Sequence, residues 1–277
     1  MSFSKNIGLG FSSYGKAFNI LFRHNLWWTL FIPLILYIIL LFTGFELKDQ
    51  LAEYLKSTIL GATNLENADF FLSGFLKGAV SWIIGISFTI IFFFAFSFFG
   101  GYLIIILMSP LLAYLSEKTE QIVTGKNYPF NIEQFARDIF RGILLALRNM
   151  LIQTGIFLGI LIIGFIPVLG WIVSIVSSIF IFILSSYFYG FSFMDYSIER
   201  QRLSISNSVK IIRKYKWTAI TNGGIFGFTL LIPFCGASIA PFFAIVSAIA
   251  ASIAMTEIHQ TENISNEQSK NQCSIVS

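Results

Sequence analysis

One charge-free stretch decides the fold of this 277-residue chain. Residues Asn149 to Met194 read NMLIQTGIFLGILIIGFIPVLGWIVSIVSSIFIFILSSYFYGFSFM, without any Asp, Glu, Lys or Arg. A helix of about 20 apolar residues crosses a hydrocarbon core of about 30 Å, so this stretch is long enough for two helical arms. Pro167 and Gly170 stand near its centre, where proline removes a backbone donor and glycine permits a left-handed turn. The stretch therefore predicts a helical hairpin in a membrane.

Three further stretches also lack charged residues. They are His24 to Phe45, Gly78 to Ser116 and Trp217 to Thr256. The chain is 56% hydrophobic and 12% charged, whereas a soluble domain carries about 25% charged residues. This composition excludes an ordinary soluble protein. We expect an all-α integral membrane protein with two long transmembrane helices and two helical hairpins.

The second hairpin is expected around Pro233 and Gly236, which repeat the proline and glycine of the first turn 66 residues later. Its first arm, Ala219 to Ile232, would measure only about 21 Å as a helix. That length falls short of a full crossing, and a re-entrant hairpin is tolerated in a membrane where protein covers it. Re-entrant and fully spanning hairpins both remain open.

The distribution of charge predicts the orientation. Basic residues prevail before the first span and within Asp195 to Lys216, whereas Glu46 to Lys77 carries three basic against five acidic residues. By the positive-inside rule, both termini are expected in the cytoplasm and residues 46–77 outside it. The first span lacks a small-residue cleavage site, so we expect it to stay attached.

The domain organisation follows from these segments. Residues 1–256 are expected to form one helical membrane domain, with 117–148 as cytoplasmic amphipathic helices and 257–277 as a polar, disordered tail. The 39-residue run from Gly78 is too long for one straight span, and Gly100-Gly101 and Pro110 are its candidate breaks. Two amphipathic helices should follow, from Leu111 to Val123 and from Asn131 to Arg148. On the second, one face is expected to carry Phe135, Ile139, Ile143 and Leu147, and the other Arg137, Arg141 and Arg148.

Several motifs have a structural interpretation. Gly155 with Gly159, and Gly223 with Gly227, have the spacing that lets helices approach closely, and contact between copies of the chain is the alternative. Gly10 to Lys16 has part of a phosphate-loop pattern, but Ala17 replaces the required Ser or Thr and no α/β unit surrounds it. The sequence offers no Cys/His metal cluster and no hydrolase triad. We expect no enzyme activity, no cofactor, no metal and no nucleic-acid partner; the expected partners are the lipid bilayer and further copies of the chain.

The basic residues of the cytoplasmic segments have two interpretations. One is an anchor at anionic headgroups, because Arg200 to Lys216 ends at Trp217 and such residues gather at membrane borders. The other is a vestibule that concentrates anions. Its lining would be Arg137, Arg141, Arg213 and Lys214.

Six short motifs occur in order along the chain. They are Leu30-Phe31-Ile32-Pro33-Leu34; Ser109-Pro110-Leu111-Leu112-Ala113 with Leu115-Ser116-Glu117; Thr124-Gly125; Phe165-Ile166-Pro167 with Gly170; Met194-Asp195-Tyr196; and Phe226-Gly227 with Ile232-Pro233. Their order and spacing resemble the CysZ-like sulfate permeases, within the wider group that shares the etoposide-induced-protein type of membrane domain. The resemblance covers about Phe11 to Met255.

This resemblance implies an oligomeric inner-membrane protein with two spanning helices and two hemi-penetrating hairpins, which passes sulfate inward for cysteine synthesis. Members that bind sulfate carry a Gly-Leu-Arg-like motif before the first span, and this chain has Asn25-Leu26-Trp27-Trp28 there. A tryptophan carries no charge, whereas an arginine gives bidentate contacts to an oxyanion. Arg23 is the candidate substitute, together with the backbone N–H groups of Asn25 and Leu26.

Two functions are therefore predicted. The first is a permease or channel-like protein for sulfate or a similar small oxyanion, not driven by ATP, since no credible nucleotide site is present. The absence of ionisable residues inside the charge-free runs favours passive flux. The alternative is a protein of the same fold that serves as a lipid- or partner-binding scaffold, or that carries another solute; the tryptophan pair favours this alternative.

Overall fold

The computed structural model describes residues 3–62, 73–125, 131–164, 169–200, 204–232 and 235–276. Within these ranges the secondary structure is helical and contains no strand, which confirms the all-α prediction. The α helices are α1 (Phe3–Arg23), α2 (Phe31–Ala62), α3 (Ser73–Thr124), α4 (Ile132–Gly164), α5 (Leu169–Glu199), α6 (Ile205–Lys214), α7 (Lys216–Leu230) and α8 (Gly236–Val276), and a 3-10 helix covers Trp27–Leu30.

Four segments among the described residues are long and apolar enough to cross a membrane. They lie in α3, α4, α5 and α8, at Gly101–Thr124, Ile132–Gly164, Val176–Glu199 and Ser238–Glu262. Many large apolar side chains remain exposed on these helices, for example Leu151 and Ile162 on α4. Such surfaces are stable against lipid tails and unstable in water. The protein is therefore a multi-pass membrane protein.

The chain forms two compact units, one of residues 1–30 and 101–277 and one of Phe31–Gly100. The boundary falls inside α3, between Gly100 and Gly101, which the sequence marked as a candidate break. The other candidate, Pro110, lies within the same helix. The single membrane domain expected over residues 1–256 stays a prediction. The structure divides this range into two units, because contacts cluster separately on either side of the glycine pair.

The core of the first unit is the packing of α7 against α5. A Cβ added at Gly190 would lie 1.9 Å from the carbonyl oxygen of Ala219, and one added at Gly223 would lie 1.9 Å from that of Ser186. Only glycine allows the two backbones this approach. The packing role predicted for Gly223 is confirmed. Gly155 and Gly159 differ, because a Cβ at either would meet nothing within 4 Å in the described part of the chain.

The amphipathic segment predicted from Asn131 to Arg148 is the first half of α4, which continues without interruption to Gly164. Its buried face is not the apolar one. Phe135, Ile139 and Ile143 are half-buried and Leu147 is exposed. The buried positions are Asp138, Gly142, Leu145, Ala146, Asn149 and Gln153. In a lipid environment an apolar face needs no cover, so the polar and small residues turn inward.

The two expected hairpins have unequal arms. In the first, α4 and α5 have 33 and 31 residues, about 50 and 46 Å, which is enough to cross. In the second, α7 has 15 residues, about 22 Å. Whether either hairpin crosses stays a prediction.

The turn residues have different positions in the structure. Pro167 and Pro233 lie outside the described residues, whereas Gly170 is the second residue of α5. Gly236 begins α8, and a Cβ there would lie 2.6 Å from the carbonyl oxygen of Thr229. This close approach explains the need for glycine at the second turn.

Helices extend further than predicted at two places. In the segment 46–77, α2 continues to Ala62 and α3 begins at Ser73. The tail expected to be disordered is part of α8, which reaches Val276. Residues 257–276 contain neither Pro nor Gly, so nothing in the sequence interrupts the helix after the membrane segment. Pairs of Lys16 with Glu257 and Lys214 with Glu262 attach its first turns to α1 and α6.

Candidate functional site

A line of polar side chains follows the buried face of α4, a helix otherwise apolar enough to cross the membrane. We call these residues the polar seam, and they are Asp138, Arg141, Asn149 and Gln153. The buried members recur at spacings of four and eleven residues, which place them on one side of the helix. From Asp138 to Gln153 the seam covers about 22 Å along the helix axis. This length compares with about 30 Å for a hydrocarbon core.

Neutral hydrogen bonds satisfy the C-terminal half of the polar seam, at Asn149 and Gln153. The Tyr102 hydroxyl donates to Gln153 Oε1 at 2.6 Å, and the Asn149 amide Nδ2 donates to Ser192 Oγ at 3.3 Å. The Tyr102 ring also contacts that of Tyr189, with centroids 5.0 Å apart. These bonds join α4 to α3 and α5 without placing a charge in the apolar region.

Charged groups occupy the N-terminal half of the polar seam, at Asp138 and Arg141. The Arg141 guanidinium donates to both carboxylate oxygens of Asp195, at 2.9 and 3.0 Å, and forms an ion pair with Glu199. It also donates to Ser208 Oγ at 2.6 Å. The Arg141 side chain is only 12% exposed. Because Asp195 and Glu199 are one helical turn apart, a single guanidinium contacts both, and α4, α5 and α6 meet at this side chain.

A second buried arginine joins the end of α5 to α3. Arg200 Nε donates to Glu120 Oε2 at 2.6 Å, and Nη2 donates to the Ser116 carbonyl oxygen at 3.1 Å. The Ser116 hydroxyl is 2.6 Å from that of Ser252, on α8. The paired charges at this end are thus connected to the centre of the first unit.

Asp138 and Tyr196 are the least satisfied groups of the cluster. Asp138 is 5% exposed and its Oδ1 has no hydrogen-bond partner, and neither has the Tyr196 hydroxyl, as far as the described residues show. Gly142 provides the space for Tyr196, because a Cβ there would lie 2.6 Å from the hydroxyl oxygen. The carboxylates do not gather into a metal-binding group within the described ranges.

The structure places Arg23, Asn25 and Leu26 at the C-terminal end of α1. Asn25 has a left-handed φ of 57°, and its Oδ1 accepts a hydrogen bond from Trp27 Nε1 at 2.6 Å. The Leu26 N–H donates to the Leu21 carbonyl oxygen at 3.0 Å, and Leu26 is 2% exposed. An anion would compete with the helix end for this donor, and its expected contact with the Leu26 N–H stays a prediction. A helix C-terminus also carries a partial negative charge.

Arg23 itself is exposed beside a shallow depression on α1. Gly15, Phe18, Asn19 and Phe22 line the depression with it. Of the three predicted anion contacts, Arg23 and Asn25 are exposed and Leu26 is buried.

Three of the four basic residues predicted to line a vestibule have carboxylate partners. Arg137 pairs with Glu133 at 3.7 Å, Arg141 belongs to the buried cluster, and Lys214 donates to Glu262 at 2.5 Å. This hydrogen bond to the Glu262 carboxylate also raises the pKa of the Lys214 ammonium. Pairing cancels much of the field that would attract an anion. Arg213 is exposed on α6 and has no carboxylate partner among the residues that the structure describes.

The sequence interpretation missed the polar seam. Its signal was present in the spacing: Asn149 and Gln153 are one turn apart inside an apolar run, and Asp195 and Glu199 are one turn apart just beyond it. The charged residues of the cluster lie just beyond the ends of a charge-free run, and sequence alone does not show where an apolar helix leaves the membrane.

Fold and seam together define a class: multi-pass α-helical membrane proteins with a buried polar face in a spanning helix. Residues 13–254 match the model of the family described as Sulfate transporter CysZ/Etoposide-induced protein 2.4. Since the match covers most of the chain, the protein belongs to this family, which confirms the resemblance noted in the sequence. No curated protein matches the sequence.

Proposed function

We propose that the protein passes sulfate or a similar small oxyanion into the cell across the inner membrane, without hydrolysing ATP. The observation that carries this proposal is the family match over residues 13–254. The family is of transporter type, and the fold is that of a membrane protein. Sulfate as the particular solute is the finer part of the proposal.

The polar seam supports a transport function. Polar groups inside a membrane are costly, and where they persist they usually mark solute pathways. Tyr102, Asn149, Ser192 and Gln153 bring neutral hydrogen-bonding groups of α3, α4 and α5 together, and an anion would enter by exchanging with the bonds that they now make to one another. Neutral donors of this kind stabilise an oxyanion without trapping it as a buried arginine would.

Arg23 is the proposed contact for the anion. Its guanidinium is exposed, it stands at the position nearest to the arginines of sulfate-binding relatives, and Asn19 lies beside it as a neutral donor. We further propose that both termini lie in the cytoplasm and that the chain acts as a homo-oligomer, with residues 46–77 on the outer side.

A complementation experiment tests the proposal. The full chain is expressed in a bacterial strain that lacks its own sulfate uptake, and growth is measured with limiting sulfate as the sulfur source. The wild-type chain should restore growth, and Arg23→Ala should slow it at the lowest sulfate concentrations because a charge-assisted contact is lost. Growth on cysteine serves as the control and should not depend on either chain.

The matched control variant is Lys5→Ala, which removes an exposed cation from the same helix, away from the depression. If Arg23→Ala and Lys5→Ala grow like wild type, Arg23 is not the anion contact. If the wild-type chain reaches the membrane and growth is not restored, the sulfate proposal is wrong. The scaffold alternative would then be favoured, since Trp27 and Trp28 are 46% and 44% exposed, as expected for anchors at a membrane interface.

A further inference from the structure

Helix α1 separates its cations from most of its phenylalanines. The cations follow one another at spacings of 11 and 7 residues, which keep them on one side of a helix, and we call them the cationic line: Lys5, Lys16 and Arg23. The phenylalanine line has spacings of 7 and 4 residues and consists of Phe11, Phe18 and Phe22. With about 3.6 residues per turn, the two lines stand roughly 120° apart around the helix. The helix contains no Asp or Glu.

Both lines are exposed, and the third side of α1 is buried. Helices α7 and α8 pack against that side, whose members include Asn6, Ser13 and Tyr14. The phenylalanine line is 59%, 43% and 62% exposed at its three positions. A row of exposed aromatic rings is favourable against lipid and unfavourable in water. The cationic line needs the opposite surroundings, because a charge is costly in an apolar medium.

Contacts with α8 indicate the level of α1 in the membrane. The Tyr14 hydroxyl is 2.7 Å from Ser247 Oγ, and Lys16 pairs with Glu257. Tyr14 and Lys16 are two residues apart on α1, whereas their partners on α8 are ten residues, about 15 Å, apart. Helix α1 therefore crosses α8 and does not run beside it. The crossing lies where the charge-free run of α8 ends, because Glu257 is the first charged residue after that run.

The basic segment of α6 and α7 adjoins the start of α1. The Phe3 and Trp217 rings make an edge contact, with centroids 4.7 Å apart. The Lys216 ammonium lies 5.4 Å from the centroid of the Trp217 ring. Tryptophan and lysine both gather at membrane borders. This end of α1 therefore also lies beside residues that are typical of a membrane interface.

A membrane-spanning α1 disagrees with the cationic line. From Lys5 to Arg23 this line extends about 27 Å along the helix, close to the thickness of a hydrocarbon core. A spanning helix would hold Lys16 inside the apolar region, where a charged side chain is costly. Helix α1 is also not among the described segments that are long and apolar enough to cross. A helix with basic residues on one side and aromatic residues on another lies instead in the plane of the interface.

We propose that α1 lies in the plane of the membrane, where the phenylalanine line enters the acyl boundary and the cationic line binds the phosphates of anionic phospholipids. The charges of α1 complement such lipids, since the helix has three cations and no acidic residue. The shallow depression on α1 lies between the lines, and Phe18, Phe22 and Arg23 in its lining match an acyl chain beside a phosphate. The proposal goes beyond the proposed function, because it concerns the surroundings of α1 and not the solute.

The depth of three spin labels tests the placement of α1. The labels are attached to Phe11→Cys, Phe18→Cys and Phe22→Cys in the full chain, after serine replaces the two native cysteines. The protein is reconstituted with phosphatidylcholine and phosphatidylglycerol, and collisions with oxygen and with an aqueous nickel complex measure the depth of each label. We expect all three labels at one depth, about 5–10 Å into the boundary between headgroups and acyl chains.

Ser12→Cys is the matched control, because this exposed residue lies near the cationic line of the same helix. Its label should collide with the nickel complex far more often than the other three labels. Depths that differ by about 16 Å between Phe11 and Phe22 would show that α1 crosses the membrane. Free access of the nickel complex to all four labels would show that the phenylalanine line faces water. Either result would overturn the proposal.

The lipid preference of the protein tests the cationic line. The full chain is released from nanodiscs that contain both lipids, and native mass spectrometry counts the molecules of each lipid that it retains. Arg23→Gln should lower the ratio of phosphatidylglycerol to phosphatidylcholine by up to about fivefold, the contribution of one basic residue near an anionic surface. Lys118→Gln removes an exposed cation of α3 and should keep the ratio of the wild type.

An equal ratio for Arg23→Gln and the wild type would overturn the role of the cationic line. Neither measurement contains sulfate, so failure of the proposal differs from failure of the proposed function. Sulfate uptake with labels that face water would remove the in-plane helix and keep the function. Labels at one depth below the phosphates, without sulfate uptake, would remove the function and keep the in-plane helix.

Discussion

At the scale of single residues, the environment of each arginine decides what it can do. Arg141 contacts Asp195 and Glu199 in a buried cluster, whereas Arg137 pairs with Glu133 on the surface. A buried pair that loses one partner leaves an uncompensated charge away from water, and an exposed pair that loses one partner is solvated again. The same residue type on one helix therefore has a structural role at one position and a minor one a single turn away.

Arg141→Gln is expected to lower the free energy of unfolding by about 3–5 kcal/mol, because Asp195 and Glu199 would stay buried without their cation. Thermal unfolding of the purified protein in detergent measures the change. Arg137→Gln is the control and should have little effect, since its pair is largely exposed. Equal unfolding temperatures for both variants would contradict the structural role of the buried cluster.

At the scale of helices, close backbone packing depends on particular glycines. Gly190 and Gly223 bring α5 and α7 so close that a Cβ at either would overlap a carbonyl oxygen. Gly155 and Gly159 have the same sequence spacing as Gly223 and Gly227, but in the described structure they face open space. Spacing alone did not distinguish the two pairs, because it does not say which face of a helix meets a neighbour.

Gly190→Ala should destabilise the protein by about 1–3 kcal/mol or more, because the backbones of α5 and α7 must separate to admit a methyl group. Gly155→Ala should leave the stability unchanged or slightly raised, since alanine favours a helix and meets no neighbour here. Thermal unfolding in detergent compares the two variants. A tolerated Gly190→Ala would show that α5 and α7 pack less closely than described.

The sequence predicted the helices of this protein better than their faces. Charge-free runs and the Pro and Gly turns placed α5 and α7 to within about five residues of their observed limits, whereas α4 begins well before its run and α8 continues well beyond its run. The buried face of α4 was not predicted, because Asp138, Asn149 and Gln153 turn inward while the apolar residues turn out. Rules derived for water-soluble helices invert when the surroundings are lipid.

At the scale of the whole molecule, part of the candidate site was accessible to sequence reasoning and part was not. Arg213 was among the predicted anion-facing residues, since it belongs to a basic segment beside the membrane. Arg141, from the same predicted set, is instead buried against Asp195 and Glu199. The Leu26 N–H, also a predicted anion contact, donates to the Leu21 carbonyl oxygen at the end of α1. Both outcomes depend on three-dimensional contacts that spacing does not show.

The central claim is that the chain passes sulfate across a membrane without ATP. Uptake of radiolabelled sulfate into nucleotide-free proteoliposomes containing the purified full chain tests it most directly, with empty liposomes alongside. We predict uptake that exceeds the empty liposomes, saturates with sulfate concentration, and is reduced by unlabelled sulfate far more than by chloride. Uptake no faster than in empty liposomes, or uptake that begins only when ATP is supplied, would contradict the account.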